Sequence, residues 1–163
     1  MNTVRRVTLS ALLVGVTLLV GCAAPSRQVP PDAAFWSGRM GLNIQSQPPQ
    51  NLSAAFELQG SAEQGELLLL SPIGSALAQL RWTPQTAELN QGGRQWSSRS
   101  LDELSTQLTG TALPVAALFD WLAGQASTPV GWQVDLSQLP QGRIQAERQS
   151  PAPTVQFKVV LER

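Results

Sequence analysis

The sequence predicts a mainly β (α+β) domain, with one antiparallel curved sheet and a pair of short helices inserted between its strands. Three observations predict it. Apolar and polar residues alternate through most of the chain after residue 33, short polar turns separate the alternating runs, and two stretches near the middle change to helical spacing. A succession of short strands joined by polar turns is typical of an antiparallel meander that curls.

The first alternating runs predict two half-buried strands joined as a hairpin. The Pro-rich segment 47–50 separates the two runs and forms the turn. The inward-facing positions are Met40, Leu42 and Ile44 in the first run, and Leu52, Ala54, Phe56 and Leu58 in the second.

Further strands follow the hairpin, after a turn between Gly60 and Gly65. Their predicted ranges are 66–70, 76–82, 86–89 and 94–98, with a turn at 91–93. Alternation returns after the helices at Trp132, Val134 and Leu136, then at Ile144 and Ala146, and finally at Val155, Phe157, Val159 and Leu161.

Two helices interrupt the strands. Ser100 and Glu103 have the spacing of a capping box ahead of a leucine stripe, and Gly110 is placed to end this first helix. The second helix begins near Pro114, where an amide proton is not needed, and runs to Gly124. The apolar stripes are Leu101, Leu104 and Leu108 in the first helix and Leu118, Trp121 and Leu122 in the second.

The N-terminal segment predicts export and a lipid anchor. Arg5 and Arg6 precede an apolar run that is too short to span a bilayer, and Leu19-Val20-Gly21-Cys22 is a lipobox. We therefore expect residues 1–21 to be a lipoprotein signal peptide, and Cys22 to be the acylated first residue of the mature chain.

The rest of the chain divides into a tether and one domain. Residues 22–32 are Pro-rich and lack apolar periodicity, so we expect a flexible tether, and residues 33–163 are long enough for a single domain. In the lipoprotein sorting rule that this segment resembles, an Asp after the cysteine means retention in the inner membrane. Ala23 at that position predicts the outer membrane, with the domain on its periplasmic face.

Charge and composition exclude several classes of function. Removing residues 1–21 takes away two of the eleven basic residues, which leaves nine basic against eleven acidic side chains. Nucleic acid is not an expected partner, because its binding needs clustered Lys and Arg. The chain has no histidine and no tyrosine, so we expect no His-dependent catalysis, no enzyme activity, no cofactor and no metal. The acidic residues that neighbour one another are interpreted as structural or solvated: Glu63, Glu66, Asp102 and Glu103.

The inward-facing apolar residues allow two interpretations. A curved sheet that two short helices cover incompletely would leave a hydrophobic cavity. Alternatively, the largest of these side chains meet as an ordinary filled core. The side chains concerned in that alternative are Phe56, Trp82, Leu118, Trp121 and Phe157. The candidate cavity residues are Met40, Leu42, Ile44, Phe56, Leu58, Leu67, Leu69, Leu80, Trp82, Leu118, Trp121, Leu122, Val134, Phe157 and Val159.

The apolar run 67–70 ends in a turn with an apolar tip. Alternation from Glu66, which should face solvent, divides the four leucines between the two faces of the sheet. The turn 71–75 then carries Ile73 where hairpin tips are usually polar. An exposed Ile73 would make a protrusion suited to a membrane or a partner, whereas the alternative is that it folds back onto the sheet edge. The predicted protrusion comprises Leu68, Leu70, Pro72, Ile73 and Gly74.

These features together resemble the LolB family, outer-membrane lipoproteins that receive other lipoproteins in Gram-negative bacteria. The matching stretches follow one another in order over most of the mature chain, and those at 67–74 and 109–124 are the most specific. The stretches are the lipobox, Gly38-Arg39-Met40-Gly41-Leu42, Leu67-Leu68-Leu69-Leu70-Ser71-Pro72-Ile73-Gly74, Thr109-Gly110-Thr111-Ala112-Leu113-Pro114-Val115 with Leu118, Trp121-Leu122-Ala123-Gly124, and Trp132-Gln133-Val134-Asp135.

The resemblance implies an unclosed β-barrel in which the helix pair is a lid over a hydrophobic cavity. The cavity would hold the acyl chains of a lipoprotein delivered by the soluble periplasmic carrier LolA. Ile73 would assist insertion of that cargo into the lipid of the outer membrane. The resemblance also implies that no nucleotide is used. The affinity for the same acyl chains would rise from carrier to receptor to bilayer, so the transfer would run downhill.

Three functions stay open from the sequence. The leading hypothesis is a monomeric acceptor of lipoproteins at the inner leaflet of the outer membrane. A structural lipoprotein that scaffolds an envelope complex would instead have a filled core and no ligand. A carrier of free lipid would share the cavity but would take ordinary lipids as its cargo.

Overall fold

The computed structural model describes residues 34–162. The predicted signal peptide, Cys22 and the tether lie outside the described residues. The strands are β1 Ala34–Ile44, β2 Gln50–Gly60, β3 Gly65–Leu70, β4 Ala76–Trp82, β5 Ala87–Gln91, β6 Arg94–Ser98, β7 Trp132–Asp135, β8 Arg143–Arg148 and β9 Val155–Leu161. The helices are α1 Leu101–Thr109 and α2 Val115–Leu122, and a single 3-10 turn spans Leu139–Gln141.

The strands form one antiparallel sheet in the order β6-β5-β4-β3-β2-β1-β9-β8-β7. The long central strands β1 and β2 pair along their whole length, from Ala34 opposite Gly60 to Ile44 opposite Gln50. Within residues 34–162, no ladder joins β6 to β7, so the sheet is not closed. The two helices lie between these strands in the chain and therefore connect the two free edges. The prediction of an antiparallel open sheet with an inserted helix pair is confirmed.

The ends of β5 and β7 differ from the prediction for local reasons. β5 continues to Gln91, because Gly92-Gly93 has positive φ angles of 57° and 77° and makes a two-residue hairpin turn. β7 ends at Asp135, before the predicted inward position Leu136. The Asp135 carboxylate accepts a hydrogen bond from the Ser137 backbone N–H at 2.8 Å, and this local turn ends the strand.

α1 begins with a modified capping box. The Ser100 hydroxyl accepts a hydrogen bond from the Glu103 N–H at 3.2 Å, as the sequence predicts. The Ser98 hydroxyl donates to the Glu103 carboxylate at 2.6 Å and accepts from the Ser100 N–H at 3.0 Å. The Ser98 hydroxyl therefore accepts the hydrogen bond from the Ser100 N–H, which the Glu side chain accepts in an ordinary capping box. Gly110, at φ 81°, ends the helix and donates its N–H to the Thr106 carbonyl at 2.7 Å.

The helices cover one face of the sheet, which we call the inner face. α1 lies close to β4, β5 and β6, whereas α2 reaches the sheet through its large side chains. α2 follows Pro114 and ends before Gly124, inside the predicted range. No helix in the described part of the chain is long and apolar enough to cross a bilayer.

Candidate functional site

The predicted cavity residues come together on the inner face of the sheet. Alternate residues of each strand point to this face, and the helices add their apolar stripes. Fourteen of the fifteen are buried in one continuous apolar cluster, with exposed fractions from 0% at Leu58, Leu80 and Trp121 to 7% at Leu122. Val134 is half-buried and packs at the margin of the cluster, because β7 is an edge strand.

Phe119, which the predicted cavity residues omit, joins α2 to two strands. Its ring meets the Trp36 ring of β1 edge to face, with centroids 5.6 Å apart, and the Trp82 ring of β4 with centroids 6.1 Å apart. Such aromatic pairs contribute about 0.5–1.5 kcal/mol each beyond the buried area. The spacing of four residues from Val115 places Phe119 on a buried side of α2 and could have identified it from the sequence.

Trp121 connects the same helix to the edge strand β7. Its ring centroid lies 6.1 Å from that of Trp132, and its indole N–H donates to the Ser127 carbonyl at 2.8 Å. The Trp82 indole N–H similarly donates to the Ser61 carbonyl at 3.1 Å. Each indole therefore buries its apolar ring while its single polar group is satisfied.

A small polar cluster lies where the linker between the helices meets the end of β8. The Arg148 guanidinium donates to the Thr111 hydroxyl at 2.8 Å, and the Thr109 hydroxyl donates to the Thr111 carbonyl at 2.7 Å. The Ser105 hydroxyl accepts from the Leu113 N–H at 3.1 Å. Arg148 and all three hydroxyl residues are buried. We call these four residues the polar junction, which the sequence interpretation missed.

The turn between β3 and β4 holds Ile73 away from the rest of the domain. The Ser71 N–H donates to the Ser75 carbonyl at 2.8 Å, and the Gly74 N–H donates to the Ser71 carbonyl at 2.9 Å. Gly74 has a φ of 82°, which residues with a side chain rarely adopt. Within this turn Pro72 is exposed and Ile73 is 89% exposed. Ile73 therefore does not fold back onto the sheet edge.

The two leucines predicted to accompany this tip are less exposed than expected. Leu68 is only 8% exposed, because Glu57 of β2 and Gln79 of β4 flank it in the ladder with longer side chains. Leu70 is half-buried. The ladder shifts register at Leu70, and Leu77 just beyond this shift is 42% exposed. The exposed apolar side chains of the hairpin are Pro72, Ile73, Ala76 and Leu77, and the prediction that Leu68 belongs to its exposed surface is wrong.

Comparison with known proteins identifies the family. A model described as outer membrane lipoprotein LolB matches residues 35–159. The chain belongs to the LolB family. The outer-membrane lipoprotein LolB of Cupriavidus taiwanensis is 37% identical over 138 residues, 78% of this chain and 66% of that protein. Those of Dechloromonas aromatica and Cupriavidus necator are 29% and 35% identical over 77% and 78% of this chain, and over 78% and 68% of their own lengths.

The LolB family is one of outer-membrane lipoproteins, and the open sheet with its helix pair matches the unclosed barrel and lid that the resemblance implies. The sheet is open, and the helix pair bridges its free edges as a lid over the apolar inner face. The matched region covers between 66% and 78% of the length of these three relatives. Additional sequence in those proteins therefore lies outside the match.

The Ile73 turn lies at an end of the sheet whose connections are uncharged in this LolB-family chain. Antiparallel pairing places the connections β1–β2, β3–β4, β5–β6 and β8–β9 at this end, together with the start of β7. Val130, 91% exposed, lies two residues before β7 and therefore belongs to the same end. We call it the tip end. The connecting segments 45–49, 71–75, 92–93 and 149–154 contain no Asp, Glu, Lys or Arg.

Glu66 departs from the prediction that it faces solvent. It lies on the outer face, as expected, but is only 8% exposed. Arg81 on the neighbouring strand covers it and donates from Nε to its carboxylate at 2.8 Å. Asp102 and Glu103 lie in the first turn of α1, where acidic side chains are favourable. Among residues 34–162, no group of three or more acidic or cysteine side chains is arranged to hold a metal ion.

Two exposed carboxyl groups have altered acidity for local reasons. The Ser61 hydroxyl donates to Glu63 at 2.7 Å and, with the backbone N–H of Glu63, lowers the pKa of that carboxyl below its ordinary value. The Ser137 hydroxyl and backbone N–H lower the pKa of Asp135 in the same way. Both groups lie in turns at the end of the sheet opposite the tip end, so neither contacts the apolar interior.

A groove of about 340 Å³ crosses β7, β8 and β9 on the outer face. The side chains that face it are polar or charged, unlike those of the inner face. They are Gln133, Asp135, Gln145, Glu147, Gln156 and Lys158. A hydrocarbon chain would gain little there, because favourable transfer from water depends on apolar contact area.

Proposed function

We propose that this protein, lipid-anchored through Cys22 in the outer membrane, accepts lipoproteins from a LolA-type periplasmic carrier and inserts them into that membrane. It does so as a non-enzymatic monomer that binds and releases acyl chains. The observation that carries the proposal is the open sheet, whose apolar inner face is covered by a helix pair that links its two free edges. Family membership supports the same role.

Acyl uptake requires the lid to move. Phe119 meets Trp36 and Trp82 directly, so a chain that enters the interior must separate these rings. Those contacts are worth about 0.5–1.5 kcal/mol each, whereas every buried CH₂ group of an acyl chain gains about 0.8 kcal/mol. Relative to water, burial of a long tail therefore exceeds the cost of separating these rings, and in transfer from a carrier the driving force is the difference in affinity between the two proteins. Entry should shift the tryptophan fluorescence, because Trp36 and Trp82 exchange an aromatic neighbour for an aliphatic one.

A transfer assay tests the proposed acceptor role. The mature protein is mixed with a LolA-type carrier loaded with an acylated lipoprotein, and the cargo on each protein is measured after separation. We expect the cargo to move to the mature protein without nucleotide. If the cargo stays on the carrier while the protein is folded, the acceptor role is wrong.

Delivery to the membrane is assigned to the exposed tip. Burying a side chain the size of isoleucine in lipid yields about 1.5–3 kcal/mol, which is enough to orient an anchored domain but not to hold it. Ile73→Glu should leave cargo uptake intact and slow delivery to outer-membrane lipid vesicles by about tenfold or more. Gln85→Glu is the matched control, because it adds the same charge to an exposed turn at the opposite end. Loss of uptake in Ile73→Glu would mean that the exposed tip takes part in receiving the cargo, and would contradict its assignment to delivery.

The rival function is a structural lipoprotein with a filled core and no ligand. The direct contacts of Phe119 with two tryptophan rings favour this scaffold function, because they fill the space between the lid and the sheet at that point. A fluorescent fatty-acid probe separates the two functions. Saturable binding supports the cavity, absence of binding supports the scaffold, and probe binding without lipoprotein transfer supports a carrier of free lipid.

A further inference from the structure

Arg148 is buried, charged and incompletely hydrogen-bonded. It ends β8 on the inner face, between its ladder partners Trp132 and Val155, and is only 8% exposed. One guanidinium nitrogen donates to the Thr111 hydroxyl at 2.8 Å, and Cζ lies 5.8 Å from the centroid of the Trp132 ring. Nε is enclosed without an acceptor, and among residues 34–162 no carboxylate forms an ion pair with this guanidinium.

Such an arrangement is unfavourable in an isolated domain. Removing a guanidinium from water is strongly unfavourable unless an opposite charge or enough acceptors replace the water, and one hydroxyl with one aromatic face replaces it only in part. Arginine has five N–H donors and no acceptor. The missing partner must therefore be an acceptor, and a bound ligand would supply it.

The position of Arg148 indicates which part of a ligand it would meet. Trp132 and Val155 belong to the apolar cluster, whereas Thr111 belongs to the linker between the helices. Arg148 thus lies on the rim between the apolar interior and the lid, at the tip end of β8. A ligand with its hydrocarbon in the interior would bring its polar head to this rim.

We propose that Arg148 binds the carbonyl oxygens at the head of the acyl chains held in the interior. These are the ester and amide carbonyls that join fatty tails to a lipoprotein cysteine, and phospholipids share the ester carbonyls. The inference rests on the proposed acyl-binding function. A carbonyl oxygen only accepts hydrogen bonds, so it matches the guanidinium, and bonds to a charged donor are stronger than neutral ones. Thr111 and Trp132 act as positioning residues that hold the guanidinium plane.

The test compares ligands with and without carbonyls. The mature protein is titrated with a dipalmitoyl glyceryl-cysteine peptide and with its dialkyl ether analogue, which has the same tails but no ester carbonyls. We expect wild type to prefer the ester by about tenfold or more. Arg148→Met, which keeps the apolar stem, should lose the preference, and Arg148→Lys should keep part of it. Arg143→Met is the matched control, because Arg143 is exposed at the other end of β8.

Each outcome separates this inference from the proposed function. Wild type that binds neither ligand would contradict acyl binding altogether, whereas wild type that binds both equally would overturn only the role of Arg148. If Arg148→Met weakens both ligands by the same factor, or retains the preference, the residue is structural and the inference is wrong. Thermal unfolding of Arg148→Met and Arg148→Lys shows whether each variant is folded. If Arg148→Met is unfolded, the ester preference of Arg148→Lys is compared with that of wild type.

A second ligand pair identifies the source of the carbonyls. Diester and diether phosphatidylglycerol differ in the same way as the cysteine ligands. A preference confined to the cysteine pair supports recognition of lipoprotein cargo, and a preference in both pairs supports recognition of any acyl ester. If inorganic phosphate competes with the ester peptide, Arg148 is an anion site and the inference is overturned.

Discussion

The interior beneath the helices and the tip between β3 and β4 are both apolar, yet they meet water in opposite ways. The interior draws its side chains from many elements, and Leu58 and Trp121 have no exposed surface. The tip presents one side chain, Ile73, on a turn that bonds mainly to itself. Substitutions in the interior should therefore lower the stability of the fold, whereas substitutions at the tip should leave it unchanged. Under the proposed function, substitutions at the tip should instead weaken contact with the membrane.

Truncation of an interior side chain should have the largest effect. Trp121→Ala removes a fully buried indole and its contact with Trp132, so we expect a loss of about 3–5 kcal/mol in the free energy of unfolding. Ile73→Ala should change it by less than about 0.5 kcal/mol. Urea unfolding followed by circular dichroism measures both. Similar losses in the two variants would contradict the separation of interior and tip.

Two glycines of β1 allow a similar comparison between the two faces of the sheet, because Gly38 lies on the inner face and Gly41 on the outer face. A Cβ on Gly38 would lie 2.2 Å from the Val160 carbonyl oxygen of β9, so the backbones must shift. We expect Gly38→Ala to destabilise by about 1–3 kcal/mol. A Cβ on Gly41 meets nothing within 4 Å, so Gly41→Ala should be neutral or slightly stabilising. Thermal unfolding distinguishes them, and equal melting temperatures would contradict the close approach at Gly38.

The parts of the fold that sequence could predict are those set by local chemistry. The hairpin of β1 and β2 follows from alternation, and α1 begins and ends where Ser100 and Gly110 place its caps. Leu68 could not be predicted, because its burial depends on flanking side chains from two other strands. Local pattern predicts which face a residue occupies, and only the neighbouring strands decide how much water reaches it.

The polar junction shows the same limit for the candidate site. Alternation from Ile144 and Ala146 places Arg148 inward, but sequence does not show that a charged residue there is buried. That burial depends on Thr111, which is 37 residues away in the chain. The lining of the interior was predictable because apolar burial needs no specific partner. A buried guanidinium needs a specific partner, and a partner that is distant in the chain cannot be recognised from the local sequence pattern.

A smaller effect on delivery is expected from substitution of Val130, which is about as exposed as Ile73 and lies at the same end of the sheet. Val130 is 91% exposed and Ile73 is 89% exposed, but Val130 is smaller and lies in the segment that enters β7. Under the proposed function, Val130→Glu should slow delivery to vesicles by about threefold, less than Ile73→Glu, because less apolar area enters the lipid. Cargo uptake is the control and should not change. Equal losses of delivery would mean that the whole end, and not the tip, contacts the membrane.

The smallest effect concerns pH, at the turn between β2 and β3 on the opposite end. The Ser61 hydroxyl lowers the pKa of Glu63, so the folded state favours the charged carboxylate. Its contribution to stability is present above the ordinary Glu pKa of about 4.3 and is lost as the pH falls through the lower folded-state pKa. In Ser61→Ala, NMR titration should find the pKa of Glu63 raised toward its ordinary value. Because Glu63 is exposed, the change in stability should be slight.

The turn 71–75 has no titratable side chain, so acidification should alter the Glu63 turn and leave the tip unchanged. Delivery that depends on Ile73 should therefore have the same rate in Ser61→Ala and in wild type across this pH range, provided that the vesicle lipids are zwitterionic. A parallel change of delivery rate and Glu63 titration would couple the two ends of the sheet. That coupling would contradict the view that the tip acts only through its own exposed side chain.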